Sequence, residues 1–140
     1  MNDLEKAESL LVGDNTCVLV KGEIVYELQS SGIKPLLSLI EKNVSLQGFS
    51  LADRIIGKAA AMLVCYAGIE NVYSKIISKE GYKYLFNRGV FIEYDISTEN
   101  IVNRCKTDMC PMEKAVQNTE DFTEGYEILS KIVKELANKK

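Results

Sequence analysis

The stretch Ser50 to Ala67, SLADRIIGKAAAMLVCYA, constrains the fold more than any other part of this chain. Ser50 is a good N-cap, and Asp53 falls three residues later, where a carboxylate can return to the cap and suits the positive end of a helix. Wound at about 100° per residue, Ile55, Ile56, Ala59, Ala60, Met62 and Leu63 gather on one arc, so the stretch reads as a single central helix with a core-facing surface. The other arc carries Asp53, Arg54, Gly57, Lys58, Ala61, Val64 and Cys65. Charges interleaved with Gly57 and Ala61 leave backbone that a partner can approach closely, which makes this arc a candidate binding face.

The rest of the chain supplies elements to surround that helix. Leu4, Ala7, Leu10 and Leu11 fall at helical spacing, and Gly13, Asp14 and Asn15 close the first helix. Thr16 to Val20 and Glu23 to Leu28 form an antiparallel hairpin across Lys21-Gly22. Pro35 sits in the first turn of a short helix, and 43–49 is a loop. Gly68 ends the central helix, Val72 to Ile77 is a third strand, Ser78 caps a helix that Gly89 ends, and Val90 to Ile96 is a fourth strand. A short helix starts at Pro111, and Phe122, Tyr126, Leu129, Val133 and Leu136 form the stripe of a long last helix. The expected fold is α/β, a three-layer α/β/α arrangement of residues 1–140 as one domain, with a mixed sheet of about four to five strands.

Composition removes several function classes. With 17 basic and 20 acidic residues the formal charge is -3, and the cations are scattered, which disfavours duplex nucleic acid. No apolar run reaches the roughly 18 residues of a membrane span, and the start of the chain does not read as a signal peptide, so a cytoplasmic location is expected. There is no histidine, which excludes Ser-His and Cys-His catalysis. The cysteines, Cys17, Cys65, Cys105 and Cys110, lack the paired spacing of a zinc knuckle, so neither a metal nor another cofactor is expected.

Cys110-Pro111-Met112-Glu113 is the second informative stretch. Proline at the first helical position places Cys110 at the N-cap, where the helix field favours the thiolate, although Asp108 or Thr107 can serve as the cap instead. Cys110 is therefore a candidate nucleophile or redox thiol, with Cys105 as a resolving partner. Lys58, among small residues, is a candidate base or phosphate ligand, and Asp53 a candidate acid. Arg54, Gly57, Asn103, Arg104, Asp108 and Glu113 complete the candidate ligand-binding set, in which Arg54, Lys58 and Arg104 suit phosphates.

DRIIGKAAA, NRCK and CPMEKA, taken together, resemble a small prokaryotic family of unknown function, the domain of unknown function 1893 family, with a cytidine deaminase-like fold. The resemblance covers nearly the whole chain and implies that fold. Deaminases place His or Cys, then Ala-Glu, at the start of the central helix and Pro-Cys-x-x-Cys at the start of the next. Ala52-Asp53-Arg54 and Ile77-Ser78-Lys79-Glu80 stand at those positions here, so the zinc ligands are missing and zinc-dependent deamination is not expected. The leading expectation is a metal-free relative that binds a small nucleotide-like or anionic metabolite between the central helix and the 103–113 turn. The alternatives are a cysteine enzyme using Cys110 and a non-catalytic interaction module; a homodimer is compatible with all three.

Overall fold

The computed structural model describes residues 2–30, 32–99 and 111–138. Five strands, β1 (Cys17–Lys21), β2 (Ile24–Leu28), β3 (Ser50–Ile56), β4 (Asn71–Ser78) and β5 (Phe91–Thr98), form one sheet in the order β2-β1-β3-β4-β5. The helices among these residues are α1 (Asp3–Leu10), α2 (Lys34–Glu41), α3 (Lys58–Ala67), α4 (Lys79–Asn87), α5 (Pro111–Ala115) and α6 (Phe122–Asn138). Pairing is antiparallel on both sides of β1 and parallel from β3 to β4 to β5, the two parallel connections running through α3 and α4.

Two apolar clusters account for the layers. On one face Leu4, Ala7 and Leu11 meet Val18, Val20, Ala52 and Tyr73, so among the described residues α1 is the helix that covers that side. On the other, Leu19, Leu51 and Val72 meet Leu36 of α2, Met62 and Leu63 of α3, Leu85 of α4 and Leu129 of α6. A sheet with helices on both faces is the expected three-layer α/β/α class. Among the described residues no helix is long and apolar enough to cross a membrane.

The expected single helix from Ser50 to Ala67 is a strand followed by a helix. Ser50 to Asp53 pair with β1 on one side and β4 on the other, so Ser50 is not an N-cap. A strand buried on both faces carries apolar residues at every phase, and such a run does not separate strand from helix by period. Gly57, extended at φ -107° and ψ -170°, is the joint, and α3 starts at Lys58. Asp53 and Arg54 therefore do not share a helix face with Lys58, and Ala61, expected on an open face, is fully buried. The other end is as expected: Gly68 takes the left-handed conformation, φ 79°, and its N–H bonds back to Cys65 and Val64.

Ser78 caps α4 by accepting the Gly81 N–H at 3.0 Å, as its sequence position suggests. This brings the start of α4 against the start of α3. A Cβ built on Gly81 lies 3.0 Å from both the carbonyl carbon and oxygen of Gly57, so only glycine allows the two helix starts to approach this closely.

Candidate functional site

A cavity of about 240 Å³ lies beside the end of β3 and the start of α3. It lies where a parallel strand delivers the chain into its crossover helix, the place where open α/β sheets hold ligands. Thr16, Ile33, Asp53, Gly57, Met112 and Glu113 are among its walls. The elements that supply them are distant in sequence: the entry to β1, the entry to α2, β3 itself and α5.

Asp53 is placed by strand register. It stands opposite Cys17 on β1 and Ser74 on β4, both fully buried, and it is itself only 9% exposed. Its Oδ1 receives the Ile55 N–H at 3.5 Å, a long bond. Burial pushes the carboxyl up to about 7, against the smaller opposing pull of the Ile55 and Arg54 backbone N–H groups and the Arg54 guanidinium. The same environment, burial first and then the Asp53 charge, holds the Cys17 thiol well above its ordinary value.

Arg54 also borders the cavity, but its guanidinium is committed elsewhere. Nε donates to the Asn15 carbonyl at 2.8 Å and Nη2 to the Gly13 carbonyl at 3.0 Å, tying β3 to the loop after α1. The Thr16 hydroxyl is likewise engaged, its single proton directed at the Ser30 carbonyl with the Leu28 carbonyl 3.1 Å away.

Glu113 carries out the task expected of a capping side chain within the 50–67 stretch. Gly57, the N-cap of α3, has no side chain to offer, and the Glu113 carboxylate accepts the Lys58 and Ala59 N–H groups, each at 2.7 Å. Burial raises its carboxyl above the ordinary range, against those two bonds and the Lys58 charge. The anion-binding end of α3 is thus filled by the chain's own carboxylate.

Lys58 is buried, yet its ammonium does not line this cavity. Nζ donates to the Gln117 carbonyl and to Glu120 Oε1, both at 3.1 Å, on the side of α3 that faces α4. The structure therefore brings Asp53, Arg54, Gly57 and Glu113 together and turns the Lys58 head away. Cys110, Asn103, Arg104, Asp108 and Cys105 lie outside the described residues. Thr16, Ile33, Ile55 and Met112 carry no sequence signal for a site; they reach the cavity through tertiary packing, for which no local pattern exists.

The resemblance leads to the expectation of zinc-ligand positions at the starts of the central helix and the next. Gly57-Lys58-Ala59 opens α3 and Lys79-Glu80-Gly81 opens α4, with Gly81 closed against the Gly57 backbone. The expected equivalence of Ala52-Asp53-Arg54 with the start of the central helix is corrected by this, since those residues are in β3. Among the described residues no group of three or more His, Cys, Asp or Glu is placed to hold a metal ion.

A family model described as TM1506, domain of unknown function (DUF1893), matches residues 6–133. The crystal structure of a DUF1893 family protein (TM1506) from Thermotoga maritima is similar at 27% identity and a TM-score of 0.76, over 87% of this chain and 81% of that one. A diaminohydroxyphosphoribosylaminopyrimidine deaminase/5-amino-6-(5-phosphoribosylamino)uracil reductase, also from Thermotoga maritima, is similar at 14% identity and a TM-score of 0.48, over 66% of this chain and 35% of that one. None of the curated proteins matches.

Proposed function

The chain belongs to the DUF1893 family, and from that premise we propose that the Asp53 cavity binds a small nucleobase-like ring, with Asp53 as the group that reads it. The observation that carries this reading is a carboxyl only 9% exposed, pushed up to about 7, on the wall of a cavity. At neutral pH such a group is divided between two forms. As carboxylate it accepts from an exocyclic amine, and as acid it donates to a ring nitrogen. Ile33, Ile55, Ala59, Ala60 and Met112 supply apolar surface for the ring faces.

Size and charge narrow the ligand. About 240 Å³ is below the roughly 300 to 1,000 Å³ of sites for drug-sized molecules, so a base fits better than a whole nucleotide. The wall carries Asp53 and Glu113, and its one cation among the described residues, Arg54, has two of its nitrogens held by the Asn15 and Gly13 carbonyls. A neutral or protonated ring suits that wall better than the anionic ligand expected from sequence. Lys58, which faces elsewhere, is not needed to read the ring. An Asp53 carboxyl that exchanges a proton near pH 7 also supplies the acid or base that an enzyme of this site would use.

The test is a titration of the protein with cytosine and 2-aminopyrimidine, followed by protein NMR shifts at pH 6 and pH 8. Saturable binding that weakens at least tenfold in Asp53→Asn is expected. Saturable binding that survives unchanged in Asp53→Asn, or none with either compound, overturns the reading.

A further inference from the structure

A second cavity, of about 230 Å³, lies on the α4 side of α3, with Lys58 among its lining residues. Glu80, Lys83 and Asn87 of α4 line one wall at helical i, i+3 and i+7 spacing, which places them on one side of that helix. Arg88 and Glu120 complete the charged lining. Three cations therefore face two carboxylates.

Lys58 is the unusual member. It is 5% exposed, and a buried ammonium requires a counter-charge. Its ion-pair partner, Glu120 Oε1 at 3.1 Å, belongs to a side chain that is 75% exposed. A carboxylate so open to water is well screened and loses little on leaving, so the pair is tight on one side and replaceable on the other. Arg88 is oriented beside it by three contacts: the guanidinium lies 3.5 Å from the Tyr84 ring centroid, Nη1 donates to the Tyr84 carbonyl at 3.3 Å, and Nη2 donates to the Glu120 carbonyl at 2.9 Å. Two of five donors are spent in this way, in a fork whose orientation is fixed. The Tyr84 hydroxyl donates to the same Glu120 carbonyl at 2.6 Å, anchoring the backbone from which the displaceable carboxylate hangs. Among the described residues no ion pair engages Lys83.

We propose that this cavity binds a small phosphoryl group on Lys58, Lys83 and Arg88, with Glu120 as the resident carboxylate that the ligand displaces. A phosphoryl group brings several acceptor oxygens, which matches an ammonium, a second lysine and a fixed guanidinium better than one carboxylate does. The site differs in position and in ligand charge from the Asp53 cavity, and neither depends on the other.

The test is a calorimetric and thermal-shift titration of the full chain with inorganic phosphate and with methyl phosphate, at constant ionic strength held with chloride. Saturable binding of at least one of them is expected, weakened at least fivefold in the exposed-site variant Lys83→Ala. Glu120→Gln is expected to tighten binding severalfold, because the ligand no longer competes with a carboxylate, and to show a larger phosphate-induced rise in melting temperature than the parent. Preference for methyl phosphate assigns the site to phosphomonoesters, and equal binding assigns it to the phosphoryl group alone. Binding indifferent to both substitutions, or a thermal shift that chloride reproduces, overturns the proposal. Asp53→Asn should leave phosphate binding unchanged.

Discussion

Glu113 stands 55 residues beyond Lys58, yet its two carboxylate oxygens cap helix α3, one on the Lys58 N–H and the other on the Ala59 N–H, each at 2.7 Å. A helix whose own N-cap is Gly57 has borrowed its capping group from α5. Replacement by alanine strands two amide donors at a buried helix start, at a cost of about 1–3 kcal/mol. Glu113→Gln restores one acceptor but points an amide NH₂ at the second donor, so it should recover only part of the loss. Urea denaturation of both variants checks the order parent, glutamine, alanine; an alanine variant as stable as the parent would show that the clasp contributes nothing.

Asp53 makes stability depend on pH with a definite sign. Its ordinary value is 3.8 and its folded value about 7. Between those values the folded protein keeps a proton that the unfolded chain has released, so stability falls as pH rises through that window. Three pH units correspond to about 4 kcal/mol, an upper figure for the cost of ionising the buried group. Asp53→Asn, neutral at every pH, should therefore gain on the parent between pH 5 and pH 8 and converge with it near pH 4. Parallel denaturation curves at the three pH values are the check, and a constant difference would place the ionisation elsewhere.

Where local chemistry decides, the sequence was legible. Ser78, Gly68 and Pro35 mark their helix ends through groups that act within four residues, and the hairpin turn sits on Gly22, which takes a φ of 61°. The run from Ser50 to Ala67 is not legible, because residues 50–53 of β3 are buried on both faces and the change from strand to helix takes a single residue, Gly57, with no polar turn around it. Asp53, Arg54 and Glu113 were singled out for their charge, and all three border one cavity. Their partners are not deducible from local pattern: that Glu113 caps α3 depends on where α5 packs, and which way Lys58 turns depends on where the connection after α5 lies.

Two glycines with crowded Cβ positions should respond differently to alanine. At Gly81 the new Cβ meets the Gly57 carbonyl carbon and oxygen at 3.0 Å, backbone that cannot turn aside, so α3 and α4 must separate. Gly81→Ala is expected to cost about 1–3 kcal/mol. At Gly125 the Cβ meets the Cε and Sδ of Met62 at 2.6 and 2.8 Å, but these are the end of a flexible thioether that can re-rotate. The helix-propensity gain of roughly 1 kcal/mol offsets that adjustment, so Gly125→Ala should be near neutral. Thermal melts of the two variants compare them directly, and equal destabilisation would refute the distinction.

The two cysteines among the described residues should be poor nucleophiles. Burial, reinforced by the Asp53 charge, holds Cys17 well above its ordinary value, and burial raises Cys65 to about 11 against the opposing charge of Arg88. Relative to an ordinary value of 9.0, Cys65 has about a hundredfold fewer thiolates at neutral pH, and thiolate is the reactive form. Brief iodoacetamide treatment of the folded protein at pH 7.5, read by peptide mass spectrometry, should therefore label Cys17 and Cys65 only slowly. Denaturation should equalise the four, and early labelling of Cys65 would contradict its burial. The pH dependence of the Cys110 peptide then bears on mechanism. An apparent value well below about 8.5 would support a thiol-based reaction, whereas ordinary dependence would leave Asp53 as the titrating group best placed to act near pH 7.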